Sequence, residues 1–303
     1  VDRVVREGDA RGAARRLSGL VRAGLVRAAL LACALIWPHA AQPASEVAGF
    51  RTLASDPLAW LSPYLGRLAA FDAQPSIVND AEVCSAVIVH PRWILTAAHC
   101  VHRRNADGAP WTPGYFGAMI PLEQLVFRPD PTQPGPIFTI TGFRKSDRFP
   151  DPSAVGEDWI FLRLNRPVAV DPARIPVISP SAGAATGAEG RIAGFLRRHD
   201  AQGRLDNAAG NIALVSALPC GLLPYEGRAL PDAAQLARTG CIPPPGPGLS
   251  GSPLLRLGSP GGGAEIVAMQ IGAGPSTPEG AMAAVLVRSE AFIAAYRRIL
   301  AED

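Results

Sequence analysis

Short apolar runs set off by turns recur along most of this chain, and they predict strands. Val83 to Val89 and Trp93 to Ala97 read as two strands joined by the turn His90-Pro91-Arg92, and Ile137 to Thr141 and Trp159 to Leu164 read as two more. The stretch Arg166 to Gly190, rich in Pro, Ala, Gly and Ser, reads as a connection between two halves. Strand candidates follow at Arg191 to Phe195, Asn211 to Val215, Leu254 to Leu257, Ile266 to Ile271 and Ala283 to Val287. Only the end has helical spacing: Ser289 is placed to cap, Glu290 suits the positive end, Phe292, Tyr296 and Ile299 share a face, and Arg297 and Arg298 sit near the negative end. Many short strands separated by turns make an all-β barrel or sandwich the expected class.

Composition agrees. A chain of 303 residues with 48% hydrophobic content is long enough for a large core, and 31 Gly and 30 Pro favour turns over long helices. Residues 1–46 read differently from the rest. Arg3, Arg6, Arg11, Arg15, Arg16, Arg22 and Arg27 precede the apolar stretch Ala28 to Trp37, which ends in Ala40-Ala41-Gln42-Pro43-Ala44. That is the pattern of a secretory signal, and the apolar run is short of the ~20 residues a membrane span needs. A secreted or periplasmic bacterial protein, without stable membrane insertion after leader cleavage, is the expectation.

Seven of the 29 basic and four of the 26 acidic residues lie in that leader, so the remainder is balanced in charge. No basic stripe is left for a nucleic-acid partner. Without Cys33, four cysteines remain, Cys84, Cys100, Cys220 and Cys241. In an oxidising compartment an even number suits two disulfides, and of three possible connectivities the spacing favours the local pairs Cys84 with Cys100 and Cys220 with Cys241. A metal site is the poorer reading, because Cys-x-x-Cys is absent and the five His do not cluster with the cysteines. No cofactor is implied.

Chemistry concentrates in two segments. Thr96-Ala97-Ala98-His99-Cys100 supplies a base, and Gly248-Leu249-Ser250-Gly251-Ser252-Pro253 supplies a hydroxyl between glycines. Between them stands Asp158, which, unlike Asp147, Asp151 and Glu157, directly precedes an apolar strand. His, Asp, Ser is the chain order of one class of serine hydrolase. An α/β-hydrolase needs its histidine after the serine, yet His199, the last histidine, precedes Ser250. The subtilisin order needs an Asp before His99, and Asp56, Asp72 and Asp80 lack a supporting motif. The chemistry requires these residue types: a serine hydroxyl is a poor nucleophile until a base takes its proton, and a carboxylate fixes the tautomer of that base.

Cys84-Ser85-Ala86-Val87-Ile88-Val89 through Trp93-Ile94-Leu95-Thr96-Ala97-Ala98-His99-Cys100 resembles the first half of the trypsin/chymotrypsin-like serine peptidases. The nucleophile motif Gly-x-Ser-Gly-Ser-Pro is similar to that of bacterial secreted glutamyl-endopeptidase-like members. The resemblance runs from about Pro63 to the final helix. It implies two six-stranded antiparallel β-barrels with the active site in the cleft between them, an N-terminal barrel over 47–170 and a C-terminal barrel plus helix over 171–303. It also implies the Cys84–Cys100 bridge, catalytic roles for His99, Asp158 and Ser250, and an oxyanion hole from the N–H groups of Gly248 and Ser250.

Departures from the family pattern bear on regulation and specificity. Digestive members place an Asp just before the nucleophile to pair with a newly cleaved N-terminus; Leu249 stands there, so activity is expected not to depend on such insertion. Pro244 occupies the position where trypsin-like members hold basic side chains, and Gly272, Ala273 and Gly274 line the other wall, so an uncharged, small or apolar substrate residue is expected. Pro244, Gln270 and Gly272 are candidate substrate contacts, with a core-facing Gln270 the equal alternative. The expected partner is a protein or peptide substrate, and the expected state a monomer. The competing reading is a silent relative that binds a protein through the same cleft.

Overall fold

The computed structural model describes residues 46–47, 49–70, 84–105, 112–131, 135–178, 189–196, 213–225, 232–241, 248–258, 263–272 and 282–302. The expected leader and Pro244 lie outside them. Among the described residues no helix is long and apolar enough to cross a membrane.

Two rings of antiparallel strands carry the architecture. After the short strands β1 (Glu46–Val47) and β2 (Phe50–Thr52), the first ring begins with β3 (Leu65–Ala70), β4 (Cys84–His90) and β5 (Trp93–Thr96). A two-stranded ribbon, β6 (His102–Arg104) with β7 (Phe116–Met119), interrupts the ring, and β8 (Leu125–Pro129), β9 (Phe138–Lys145) and β10 (Ile160–Leu164) complete it in the closed order β10-β5-β4-β3-β8-β9. The second sheet continues with β11 (Glu189–Phe195), β12 (Ala213–Ser216), β13 (Cys220–Pro224), β14 (Leu236–Thr239), β15 (Pro253–Leu257), β16 (Ala264–Gln270) and β17 (Met282–Ala284), and all of these but β12 form the second ring. Its six members run β11-β13-β14-β17-β16-β15, and the pairing of Arg191 with Leu255 closes it back onto β11. This is the two-barrel, chymotrypsin-like fold expected from the resemblance.

Burial explains the sequence pattern strand by strand. In β9, Phe138 and Ile140 point inward while Thr139 and Thr141 face out, the alternation of a strand with one wet side. From Cys84 to Val89, β4 is buried on both faces, so its run is almost continuously apolar. One side fills the first barrel and the other meets the second.

Two segments cross the division expected from sequence. Residues 47–52, expected in the first barrel, pair instead on the second sheet, where β2 lies beside β12. At the other end, α1 (Glu290–Leu300) begins on Ser289, whose Oγ accepts the Phe292 N–H at 3.1 Å. Glu290 lies in its first turn and Arg297 and Arg298 in its last, as the macrodipole favours. Its buried face packs on first-barrel aromatics: Phe292 stacks on Phe161 at 5.0 Å and meets the edge of Trp159 at 5.2 Å. Burying one such ring is worth about 2 to 3 kcal/mol. Val285 to Val287, expected as strand, instead enters a 3-10 turn at Leu286–Arg288 that leads into α1.

A buried ion pair fastens the crossing N-terminal segment. Arg191 in β11 donates through both terminal nitrogens to Asp56, at 2.9 and 2.8 Å, and also to the Ser216 carbonyl. Burial alone raises the carboxyl's pKa, but the Arg191 fork and the Leu58 N–H outweigh it and hold Asp56 below its usual value. The pair's contribution is therefore present above the unfolded value near 3.8 and is lost as pH falls through the lower folded value. Arg191→Met removes both guanidinium bonds and leaves Asp56 with only the longer Arg51 ion pair at 3.7 Å, and is expected to cost about 3 kcal/mol at neutral pH. Urea unfolding at pH 7 and pH 3 checks this: the gap between parent and variant narrows at the lower pH, and a gap independent of pH contradicts the assignment.

Candidate active site

His99 sits in a 3-10 turn, Ala98–Val101, directly after β5, and Cys100 beside it is bridged to Cys84 at the start of β4. The second bridge joins Cys220 to Cys241. Both expected pairings form. The first spans 16 residues, and closing a loop of that length restricts the unfolded chain by about 3 kcal/mol.

The carboxylate of Asp158 meets His99 twice. Asp158 Oδ2 accepts from the ring Nδ1 at 2.6 Å and Oδ1 accepts from the His99 backbone N–H at 2.7 Å, so both oxygens are used and the ring orientation is fixed. Nδ1–H donation leaves Nε2 as the basic nitrogen. Asp158 is fully buried; burial pushes its carboxyl up, and the His99 ring and N–H oppose that rise. Phe116, from β7, stacks on the imidazole at 6.0 Å and 28°, shielding one face.

The turn bearing Asp158 is held from several directions. Asp232 accepts the Gly156 N–H. Glu157, buried and without a cation partner among the described residues, accepts from Trp159 Nε1 at 2.8 Å and from Ser289 Oγ at 3.0 and 2.9 Å. Ser289 thus caps α1 and anchors the acid loop together. His102, three residues beyond His99, does not join the pair: its Nδ1 faces the Gly117 carbonyl at 2.9 Å, and burial pushes its pKa down, which keeps it neutral.

Ser250 arrives from the second barrel on the tight turn 248–252. Gly248 and Gly251 both have left-handed backbone, φ 93° and 80°, which glycine adopts without strain. A Cβ on Gly251 would overlap the Ser85 carbonyl and the Thr96 hydroxyl and come within 3.1 Å of the Ala97 N. The turn therefore lies directly against the chain that leads into His99. The Ser85 N–H donates to the Ser250 carbonyl at 2.9 Å, and Ser85 adjoins the Cys84–Cys100 bridge. Ser250 keeps partial exposure, whereas Ser252 is fully buried. Among the described residues, the N–H groups of Gly248 and Ser250 have no backbone acceptor, while Gly251 N–H is taken by Gln270 O and Ser252 N–H by Leu249 O.

Residues 66–261, more than half of the chain, match the family described as Trypsin. The chain belongs to the trypsin family. Over 103 residues it is 29% identical to human granzyme M, a stretch covering 34% of this chain and about a third (35%) of that protein's length.

Of the residues expected to line a trypsin-family substrate cleft, Gln270 is placed otherwise. Its side chain is wholly buried, its carbonyl accepts from Thr239 Oγ1 at 3.3 Å and its amide donates to Gly272 O. The amide is consumed inside the protein because β16 turns that face toward the barrel, so Gln270 shapes the wall rather than reaching a substrate. Gly272 is buried too, packed by Met282. Phe116 carried no motif and Ser85 no assigned role within its own; a serine in an otherwise apolar, doubly buried run is the signal that marks Ser85.

Gly251→Ala combines a positive φ with a collision against backbone, so it is expected to cost about 3 kcal/mol and to shift the nucleophile turn. Gly114, at φ 79° with nothing within 4 Å of a Cβ, provides the contrast: Gly114→Ala costs about 1 kcal/mol. Urea unfolding of the two variants tests the difference, and equal losses contradict the close docking of 248–252 on the first barrel.

Proposed function

We propose that this protein is a secreted serine endopeptidase in which Ser250 is the nucleophile, His99 the general base and Asp158 the group that orients it. His99 Nε2 takes the Ser250 proton as Oγ attacks the peptide carbonyl, and the tetrahedral oxyanion is received by the N–H groups of Gly248 and Ser250. The proton then passes to the leaving amine, an ester on Ser250 remains, and water repeats the sequence to release the acid. Proton transfer of this kind contributes about 10²- to 10⁴-fold, and each oxyanion donor about 3 to 4 kcal/mol.

The observation that carries the reading is the doubly bonded His99–Asp158 pair beside a docked, partly exposed Ser250 turn. Membership of the trypsin family and the kinship with granzyme M support it. Two disulfides favour an oxidising compartment. Activity independent of a processed N-terminus is supported by Leu249: it is fully buried in the second apolar cluster and presents no carboxylate for an inserted amine. Specificity for an uncharged, small residue remains part of the proposal and rests on the sequence at Pro244 and Gly272.

A fluorophosphonate probe labels the protein once, at Ser250. Ser250→Ala abolishes labelling, and Asp158→Asn slows it by about 10⁴-fold because the amide N–H favours the imidazole tautomer protonated on Nε2 and no carboxylate stabilises the imidazolium. A folded protein that stays unlabelled supports the silent, protein-binding alternative. An extension added ahead of residue 47 leaves the labelling rate within about twofold; its loss contradicts independence from N-terminal insertion.

A further inference from the structure

Ser85 is fully buried in a strand whose neighbours are apolar, and a buried hydroxyl is costly unless it is bonded. Every polar atom of Ser85 is engaged. Its N–H donates to Ser250 O at 2.9 Å, and its carbonyl accepts from Thr96 Oγ1 at 2.8 Å. Its Oγ donates to Gly248 O at 3.0 Å and accepts the Phe195 N–H at 2.8 Å. One residue of the first barrel thus grips the nucleophile turn at two carbonyls and ties it to β11. Room for that hydroxyl exists because residue 194 is glycine: a Cβ there would overlap Ser252 Oγ and come within 2.6 Å of Ser85 Oγ.

The carbonyls held are consecutive. Gly248 O is held by Ser85 Oγ, Leu249 O by the Ser252 N–H at 2.9 Å, and Ser250 O by the Ser85 N–H. In a planar trans peptide the N–H points opposite to the C=O, so fixing a carbonyl also aims the amide that follows it. Gly248, with its left-handed φ, is the residue about which the 248–249 peptide is freest to flip. Leu249 offers no polar side chain to resist that flip, and the Ser85 hydroxyl is the side-chain bond that does.

We propose that Ser85 is a positioning residue that, from the opposite barrel, holds the 248–249 and 250–251 peptide planes, which flank the Leu249–Ser250 peptide, and so keeps the turn in the shape that aims the Ser250 N–H at the developing oxyanion. This rests on the peptidase reading. The role is preorganisation: donors fixed before the reaction cost nothing to align during it.

The test uses Ser85→Ala in the full chain, with near-UV circular dichroism to verify the fold. The first readout is the saturation kinetics of fluorophosphonate labelling. The maximal rate is expected to fall about tenfold while the half-saturating probe concentration stays within about twofold, since the bond acts on the tetrahedral state. The second readout is amide hydrogen exchange, expected to quicken in peptides covering 248–257 and to be unchanged in β8 and β9. If Ser85→Ala fails to fold, Ser85→Cys, with a weak donor of similar size, replaces it with the same readouts. A parent that labels normally, with a variant whose labelling or exchange is unchanged, overturns this proposal alone. A parent that does not label at Ser250 overturns the peptidase reading and this proposal with it.

Discussion

The contact on which the site depends is the docking of a five-residue turn from one barrel onto the β4–β5 strand pair of the other. Turn 248–252 is bonded by the Ser85 N–H and hydroxyl and packs Gly251 against Thr96 and Ala97 with no room for a side chain. Because Cys84 and Cys100 are bridged, the strand that receives the turn and the turn that carries His99 move as one body. His99 lies in the first barrel and Ser250 on a turn of the second, so this docking sets where one stands relative to the other. This explains why β4 is buried on both faces: its outer side is an interface.

A second set of contacts fixes the acid. Asp158 lies in a turn gripped by Asp232 from the second barrel and by Glu157 through Ser289 at the start of α1. The helix follows the second barrel in sequence but packs its aromatic face on Phe161 and Trp159, the residues that flank the acid loop on β10. Two segments thus cross the division between barrels, β2 going to the second sheet and α1 to the first.

Much of this was legible in the sequence where a local rule applied. The β4–β5 pair, the two disulfide pairings, and the Ser289 cap with its apolar helix face each follow from a run, a spacing or a capping residue. Strands β3, β8, β13 and β14 were not legible, because their patterns are broken. Arg67 stands opposite Arg128 in the β3–β8 pair, and Pro129 and Pro224 end β8 and β13, so alternation fails at these positions. Which barrel receives residues 47–52 depends on a long-range partner, Arg191 for Asp56, that local pattern cannot reveal. The candidate site was legible as three residue types in order, while its supports were not: Ser85, Phe116, Asp232 and Glu157 act through contacts between distant segments. Gln270 shows the same limit in reverse, since a period-2 strand pattern does not tell which face a polar residue takes when both faces are buried.

The central claim is that imidazole, carboxylate, hydroxyl and two backbone donors converge at the seam. A crystal structure of the protein after reaction with a small alkyl fluorophosphonate tests it most directly. The account predicts phosphorus bonded to Ser250 Oγ, the phosphonyl oxygen within hydrogen-bonding distance of the Gly248 and Ser250 nitrogens, and His99 still bonded to Asp158. An adduct on another residue, or a phosphonyl oxygen turned to solvent away from both amides, contradicts it.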